Sequence, residues 1–483
     1  MPRHDQHWLN YIAGDWRDSD HGIDVIDPAS GEVFADIAHS RPHDLDDAVA
    51  AARACVDSGA LYDPPPKVRR RWLLGLAEAL EALMADGIPL LVRENGKTQH
   101  HAKLEFDTAV DYLRYYAGMA DKLEGRSIPL GNGYVDYTVH EPIGVSAQIV
   151  PWNFPIDIAA RSLAPALAAG CPVVMKSPEH TPLAITLFGA AADRAGLPPG
   201  AFSLLAGHGA TTGAALASHP DIDQITFTGS VTTGQSILRA AAARTVPCTM
   251  ELGGKSAAVV FADADLDRFM DDVQWGIYFN AGQTCSALAR IIVARPIYSA
   301  LLTRLKAQAA NQRLAPGMTT VRDAPHLTPL ISAAQRDRVL ALCAQARAQG
   351  ARVICGGQAH DDLPGYFMQP TVFADVTPDM AIFQQEVFGP VITVTPFDTA
   401  EQAWQLANAT DYGLVAGVFT RDVTQALRAG QRLKAGQVFV NEWFAGGIET
   451  PFGGIKRSGF GREKGLEALY TYLNTKNVGI RLI

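Results

Sequence analysis

The sequence predicts an α/β protein built from two successive parallel-sheet domains, and three observations carry that expectation. Short β-rich runs at 145–150, 173–175, 202–205 and 224–227 alternate with helix-patterned stretches. Their spacing of about 25 residues is that of a strand–helix–strand unit, which demands parallel strands with helices on the sheet faces. A second series of apolar runs, at 257–261, 291–294, 353–355, 391–394, 415–419 and 438–440, repeats the pattern further along.

Size and composition agree with this reading. The 483 residues accommodate two to four domains at roughly 150 residues each. Hydrophobic residues make up 48% and charged residues 19%, which excludes disorder, collagen and coiled coil as the main architecture. A chain this long buries most of its surface without a disulfide or metal staple. With 41 Lys+Arg against 50 Asp+Glu the net charge is −9, so nucleic acid is not an expected partner. Arg69-Arg70-Arg71 opens a helix with Trp72, Leu73, Leu76, Leu80 and Leu83 on one face, and reads as its solvated start. The segment 121–141, with Gly125, Gly131 and Gly133, reads as a strand or hairpin interrupting the first domain. No apolar run is long enough to span a membrane and the first residues lack an apolar signal core, so no membrane contact and a cytoplasmic location are expected. The six cysteines are far apart and form no CxxC pair, so neither a metal site nor a disulfide framework is expected.

Two glycine clusters follow predicted strands of the first domain. Residues 207–213 read GHGATTG, one residue longer than the usual dinucleotide pattern, and Phe227-Thr228-Gly229-Ser230 leads to Gly234 across a helix start. Unpaired N–H groups and the helix dipole at such a turn favour a phosphate. A nucleotide-triphosphate loop would need Lys after Gly234, where Gln235 stands. Glycine at either turn could equally serve conformation alone; the two together in one array make a dinucleotide the candidate ligand. Beside them, Lys176-Ser177-Pro178-Glu179 puts a carboxylate just past a strand end. There it can accept both ribose hydroxyls and repel a 2′-phosphate.

Cys285 stands in Phe279-Asn280-Ala281-Gly282-Gln283-Thr284-Cys285-Ser286, a turn of small and polar residues, whereas the other cysteines lie in apolar or helical settings. Its company singles it out. Glu251-Leu252-Gly253-Gly254-Lys255 offers a general base, and Asn153, between Trp152 and Phe154-Pro155, offers an amide to an oxyanion. No histidine pairs obviously with the cysteine, which argues against a cysteine protease.

These motifs, with Glu386-Val387-Phe388-Gly389-Pro390 and Pro451-Phe452-Gly453-Gly454-Ile455-Lys456 ahead of Gly461-Arg462-Glu463, occur in the order found in the NAD(P)-dependent aldehyde dehydrogenase superfamily. The sequence resembles that family over essentially its whole length. The resemblance implies a Rossmann-like cofactor domain (1–120 and 143–252), an α/β catalytic domain (253–455) and a small β oligomerisation flap (121–142 and 456–483). It implies that Cys285 is the nucleophile, Glu251 the general base, and Asn153 with the Cys285 N–H the oxyanion hole. Trp152, Lys176, Glu179, Gly209, Gly229, Ser230, Gly234, Leu252, Glu386 and Phe388 would hold NAD. The expected reaction is oxidation of a small-molecule aldehyde to the acid through a cysteine thiohemiacetal and thioester, in a homodimer or homotetramer.

For the substrate, Phe154, Phe279 and Phe452 match tunnel-lining aromatics of the family. Arg161, eight residues after Asn153, matches the arginine of members acting on semialdehydes or hydroxyaldehydes, and an inter-helix ion pair is its other reading. Succinic-semialdehyde members can carry a second arginine six residues before the cysteine, where this chain has Phe279; an amino- or aryl-aldehyde therefore stays open. A coenzyme-A-acylating member would lack the acid at Glu251. A non-catalytic relative would have lost Cys285 or Glu251.

Overall fold

Both predicted sheets form, in a computed structural model that describes residues 3, 4, 6–322 and 325–482. In the first, five parallel strands lie in the spatial order Cys248–Leu252, Gln224–Gly229, Ser146–Ile149, Val173–Lys176, Phe202–Leu205. Chain order therefore reverses at Ser146–Ile149, with one successor on each side. At such a switch point the crevice beyond the strands' carboxyl ends is left open for a ligand. Trp152 and Asn153, Lys176, and Gly229 with Ser230 all leave the sheet at that edge. The strands are short and buried throughout, as helices on both faces require.

Three antiparallel additions, Asn10–Ile12, Asp15–Arg17 and Gly459–Phe460, finish the sheet's edges. The last of these moves a boundary. Residues from 456 were expected in the flap, yet Gly459 pairs with Glu251. The flap itself pairs Tyr134–Pro142 with Leu473–Arg481 in one antiparallel ribbon. The strand or hairpin expected within 121–141 is present as Tyr134–Pro142, with an antiparallel bridge from Ser127 to Tyr137, and the last strand joins it as a partner that local periodicity cannot reveal.

The second sheet has seven strands and contains all six predicted runs. It also contains Thr371–Ala374, a fully buried four-residue strand between Arg352–Cys355 and Val391–Phe397 with no alternation to mark it.

Three helices, Pro66–Asn95, Gln99–Ala117 and Pro155–Ala169, pack against one another around a shared apolar core. Arg69 is a correction: it is buried, not solvated, and donates to the carbonyls of Ala168, Leu61, Tyr62 and Ala120. A guanidinium carries five N–H donors, so it can close helix ends and loops that would otherwise keep bare carbonyls. Arg70 and Arg71 are exposed as expected. Among the described residues no helix is long and apolar enough to cross a membrane, and no group of three or more His, Cys, Asp or Glu is arranged to hold a metal ion.

Candidate active site

Two cavities meet at one side chain. A cavity of about 360 Å³ lies beyond the first sheet's switch point, lined by Trp152, Asn153, Gly229, Ser230, Glu251, Leu252, Glu386 and Phe388. A tunnel of about 270 Å³ is lined by Phe154, Arg161, Phe279 and Phe452. Among the described residues Cys285 is the one that lines both. No histidine lines either.

The cysteine's turn is held in an unusual backbone. Asn280, Ala281 and Gly282 have φ of 49°, 54° and 73°. Two successive non-glycine residues in the left-handed region cost about 1–3 kcal/mol each and persist only where the surroundings impose them. Here Gln283 does so, donating through Nε2 to the Asn280 carbonyl at 3.1 Å and accepting from the Ile331 N–H at 2.9 Å. Gly254 packs beneath so closely that a Cβ would lie 2.4 Å from the Cys285 carbonyl. Burial pushes the Cys285 thiol up to about 12, and the Arg161 charge opposes this only in part. Burial thus favours the neutral thiol.

Asn153 is clamped from three directions. Lys97 Nζ, fully buried, donates to its carbonyl at 2.9 Å and is ion-paired with Glu105. Asn280 Nδ2 donates to the same carbonyl at 3.0 Å, and the Asn153 side-chain Nδ2 donates to the Gln283 carbonyl at 3.1 Å. Glu105 in turn accepts the N–H groups of Ile156 and Asp157 at 2.8 and 3.3 Å, which caps the first turn of Pro155–Ala169. The amide is thereby fixed against the cysteine's own turn.

Glu251 leaves strand Cys248–Leu252 into the cavity floor, both its carboxylate oxygens buried without a hydrogen bond. Burial, then the neighbouring Glu463 carboxylate, hold it well above the usual carboxylate range, against the pull of Arg161. A carboxyl so poised can take a proton from water once it is itself deprotonated.

Most of the remaining cofactor candidates line this cavity or a groove that adjoins it. A groove of about 580 Å³ runs past Glu179, Gly209, Gly213 and Thr232, and Thr232 also borders the Cys285 cavity. Ser230 caps helix Val231–Ala242, its Oγ accepting from the Thr233 N–H at 3.1 Å. Glu179 accepts from the Gly209 N–H at 2.5 Å and lies 3.1 Å from His208 Nδ1. These contacts, with Lys176, outweigh burial and keep its carboxyl below the ordinary value. Burial lowers the Lys176 ammonium to about 8. It raises Glu386 to about 7 even though the Gly254 N–H donates to that carboxyl at 3.0 Å. Trp152 meets Phe388 edge-on at 5.4 Å. Gly234 is placed otherwise than expected: it lies inside the helix, where a Cβ would come within 2.6 Å of Leu252. It serves helix–strand packing and lines neither cavity.

In the tunnel, Phe154 and Phe279 stack at 5.4 Å with their planes 16° apart. Phe452 faces them with Phe439 and Phe444. Arg161 reaches this wall but its charge is met within the protein. Nε lies 2.5 Å from Glu463, Nη1 lies 4.0 Å from Asp157, and the guanidinium stands 5.2 Å from the Phe452 ring. A guanidinium in an apolar tunnel needs a counter-charge. Glu463 supplies it because its backbone pairs with Phe452 in both directions, at 2.6 and 2.8 Å.

The sequence profile of the aldehyde dehydrogenase family matches residues 16–478. The chain belongs to the aldehyde dehydrogenase family. It is 41% identical to an aldehyde dehydrogenase of Emericella nidulans over 95% of this chain and 91% of that one. An aldehyde dehydrogenase of Bacillus cereus, solved in complex with NAD+, superposes with a TM-score of 0.96 at 37% identity, covering 99% of this chain and 97% of that one. A betaine aldehyde dehydrogenase of Staphylococcus aureus, also solved with NAD+, gives 0.95 at 34% identity, covering 99% and 95%.

Within this family member the structure brings in residues that sequence reasoning did not single out: Lys97, Glu105, Asn280, Glu463 and Lys464. Glu105 was the legible one. It sits on the apolar face of Gln99–Ala117, between Ala102 and Ala109, where an acid must find a buried partner. The others depend on contacts between distant parts of the chain.

Proposed function

We propose that the enzyme oxidises an aldehyde to its carboxylic acid with NAD, through thiohemiacetal and thioester intermediates on Cys285 and hydrolysis by water. The observation that carries this reading is that Cys285 alone, among the described residues, borders both the tunnel and the cofactor-side cavity.

The lining of that second cavity and of the groove beside it fits a nicotinamide dinucleotide. Glu179 and Lys176 would hold the adenine ribose, the N–H groups at Gly229 and Ser230 the pyrophosphate, and Glu386 the second ribose. Buried Thr228 Oγ1, without a hydrogen bond of its own, lies between those ends. Bound there, NAD supplies a hydride acceptor next to the cysteine. The protein's own groups do the rest. Cys285 loses its thiol proton to solvent water and, as the thiolate, attacks the aldehyde carbon. The Asn153 amide and the Cys285 N–H stabilise the charge that develops on oxygen. After oxidation to the thioester, Glu251 in its deprotonated form takes a proton from water, which attacks the thioester and releases the acid. Glu251 makes water, not coenzyme A, the acceptor.

The aromatic walls support an aryl-aldehyde as substrate, its ring lying against the Phe154–Phe279 pair. The short semialdehyde or hydroxyaldehyde reading rested on Arg161, whose charge is met by Glu463 and Asp157. For assembly, Tyr134, Val135, Tyr137 and Ile480 are exposed on a two-stranded ribbon. Such a ribbon is marginal alone, which supports docking on a second copy as homodimer or homotetramer. An aldehyde panel followed by NADH absorbance, with and without coenzyme A, tests the reading. Benzaldehyde turnover with NAD and no acceleration by coenzyme A is the expected result. No NADH with any aldehyde would overturn it.

A further inference from the structure

The tunnel contains a second cation, and it is unmatched. Lys464 lines the same cavity as Cys285, Arg161 and the phenylalanine wall. Arg161 is ion-paired, but the part-buried Lys464 ammonium has neither a hydrogen bond nor an ion pair among the described residues. Asp157 and Glu449 are close enough to act on its charge, as is Arg161 with the opposite sign, yet neither acid comes within 4 Å. Asp157 lies 4.0 Å from Arg161, while Arg161 lies against Glu463. The acids beside Lys464 therefore leave it without a contact partner.

Its backbone adds an independent observation. Lys464 has φ 64° and ψ 167°, a region nearly reserved for glycine and, in non-glycine residues, concentrated at functional sites. Glycine does stand next to it, at Gly465. A lysine held at this point keeps a cation on the tunnel wall where an unstrained residue was available. Lys464 and Cys285 border one and the same cavity, and Phe154, Phe279 and Phe452 line it with them.

Resting on the proposed aldehyde oxidation at Cys285, we propose that Lys464 is a specificity-determining residue that binds an anionic group at the far end of an aromatic aldehyde. The aldehyde carbon sits at Cys285, the ring lies along Phe154, Phe279 and Phe452, and a carboxylate meets the ammonium. A carboxylate desolvated in this tunnel gains a charge-assisted hydrogen bond that a neutral tail cannot form.

The test compares 4-carboxybenzaldehyde with its neutral near-isostere, methyl 4-formylbenzoate, in the full-length enzyme with NAD. The wild type is expected to favour the carboxylate by about tenfold or more in kcat/KM, the size of one charge-assisted contact. Lys464→Met should bring the ratio of the two kcat/KM values near one, and Lys464→Arg should keep the carboxylate preference. Equal kcat/KM for both aldehydes in the wild type, or an undiminished preference in Lys464→Met, would overturn the anchor while leaving aldehyde oxidation standing. Should both aryl aldehydes fail while propanal is oxidised, the anchor and the aryl reading fall together and the Cys285 chemistry survives. NADH from none of the three would overturn the underlying reading as well.

Discussion

Replacing Lys97 by Met probes the clamp on Asn153, with effects on stability and rate that can be separated. The ammonium is fully buried and its partner Glu105 nearly so, at 0% and 2% exposure. Removing one partner of such a pair leaves an uncompensated buried charge, at a cost of about 3–5 kcal/mol. The Asn153 carbonyl keeps its bond from Asn280 at 3.0 Å and loses the one from Lys97 at 2.9 Å. Full loss of an oxyanion donor slows chemistry by about 10²–10³-fold. With one of two tethers left, a loss of about 10- to 100-fold in the first-turnover rate is expected, because displacements near 1 Å already cost about 10². Stopped-flow measurement of the NADH burst reads the rate, thermal denaturation reads stability, and cofactor-fluorescence titration should find NAD affinity within about twofold of wild type. The double variant Lys97→Met/Glu105→Gln removes both charges of this pair, so neither is left without its partner. It should recover much of the stability but not the burst rate, since the Asn153 carbonyl still lacks the Lys97 donor. A wild-type burst in Lys97→Met would refute the clamp. Joint recovery of stability and rate in the double variant would reduce Lys97 to a counter-ion for Glu105.

Cys285→Ala should abolish aldehyde oxidation while NAD still binds, as titration of the variant will show. Alkylation of Cys285 in the cofactor-free enzyme tracks the thiolate, so its rate should climb about 100-fold from pH 7 to pH 9 without a plateau; a plateau near pH 8.5 would mean that burial does not raise the thiol. Glu179→Ala should raise kcat/KM for NADP relative to NAD by about tenfold or more, since it removes the like charge facing a 2′-phosphate; an unchanged ratio would remove Glu179 from ribose recognition. The deacylation step should speed up as pH rises above the ordinary carboxylate range. Burial and Glu463 keep Glu251 protonated at low pH, and only the deprotonated acid can act on water; a flat pH profile for that step contradicts the assignment.

What the sequence made legible was local. The strands between 145 and 260 emerge from β-rich runs because a parallel sheet buried on both faces tolerates little else. Cys285, Glu251 and Asn153 stood out as candidates because each sits at or near a strand end or in a turn, and the structure gathers all three around one cavity. Pairings across the chain were not readable from the local pattern, and only the family resemblance joined 121–142 with 456–483 in one flap. Leu473–Arg481 closing onto Tyr134–Pro142, Glu463 reaching Arg161, and Lys97 reaching Asn153 depend on how separate elements pack. Arg69 shows the same limit from the other side. Its place in a basic run predicted water, whereas four carbonyls from three parts of the chain surround it. Gly234 illustrates a motif position whose reason is packing against Leu252 rather than a ligand.

The central claim is a covalent acyl intermediate on Cys285 that Glu251 helps to hydrolyse. The most direct test mixes the Glu251→Gln enzyme with NAD and benzaldehyde, then combines NADH burst amplitude with intact-protein mass and peptide mapping. The account predicts about one NADH per active site, a stall, and a benzoyl adduct mapped to Cys285. An absent burst, or a burst with no adduct on Cys285, would contradict it.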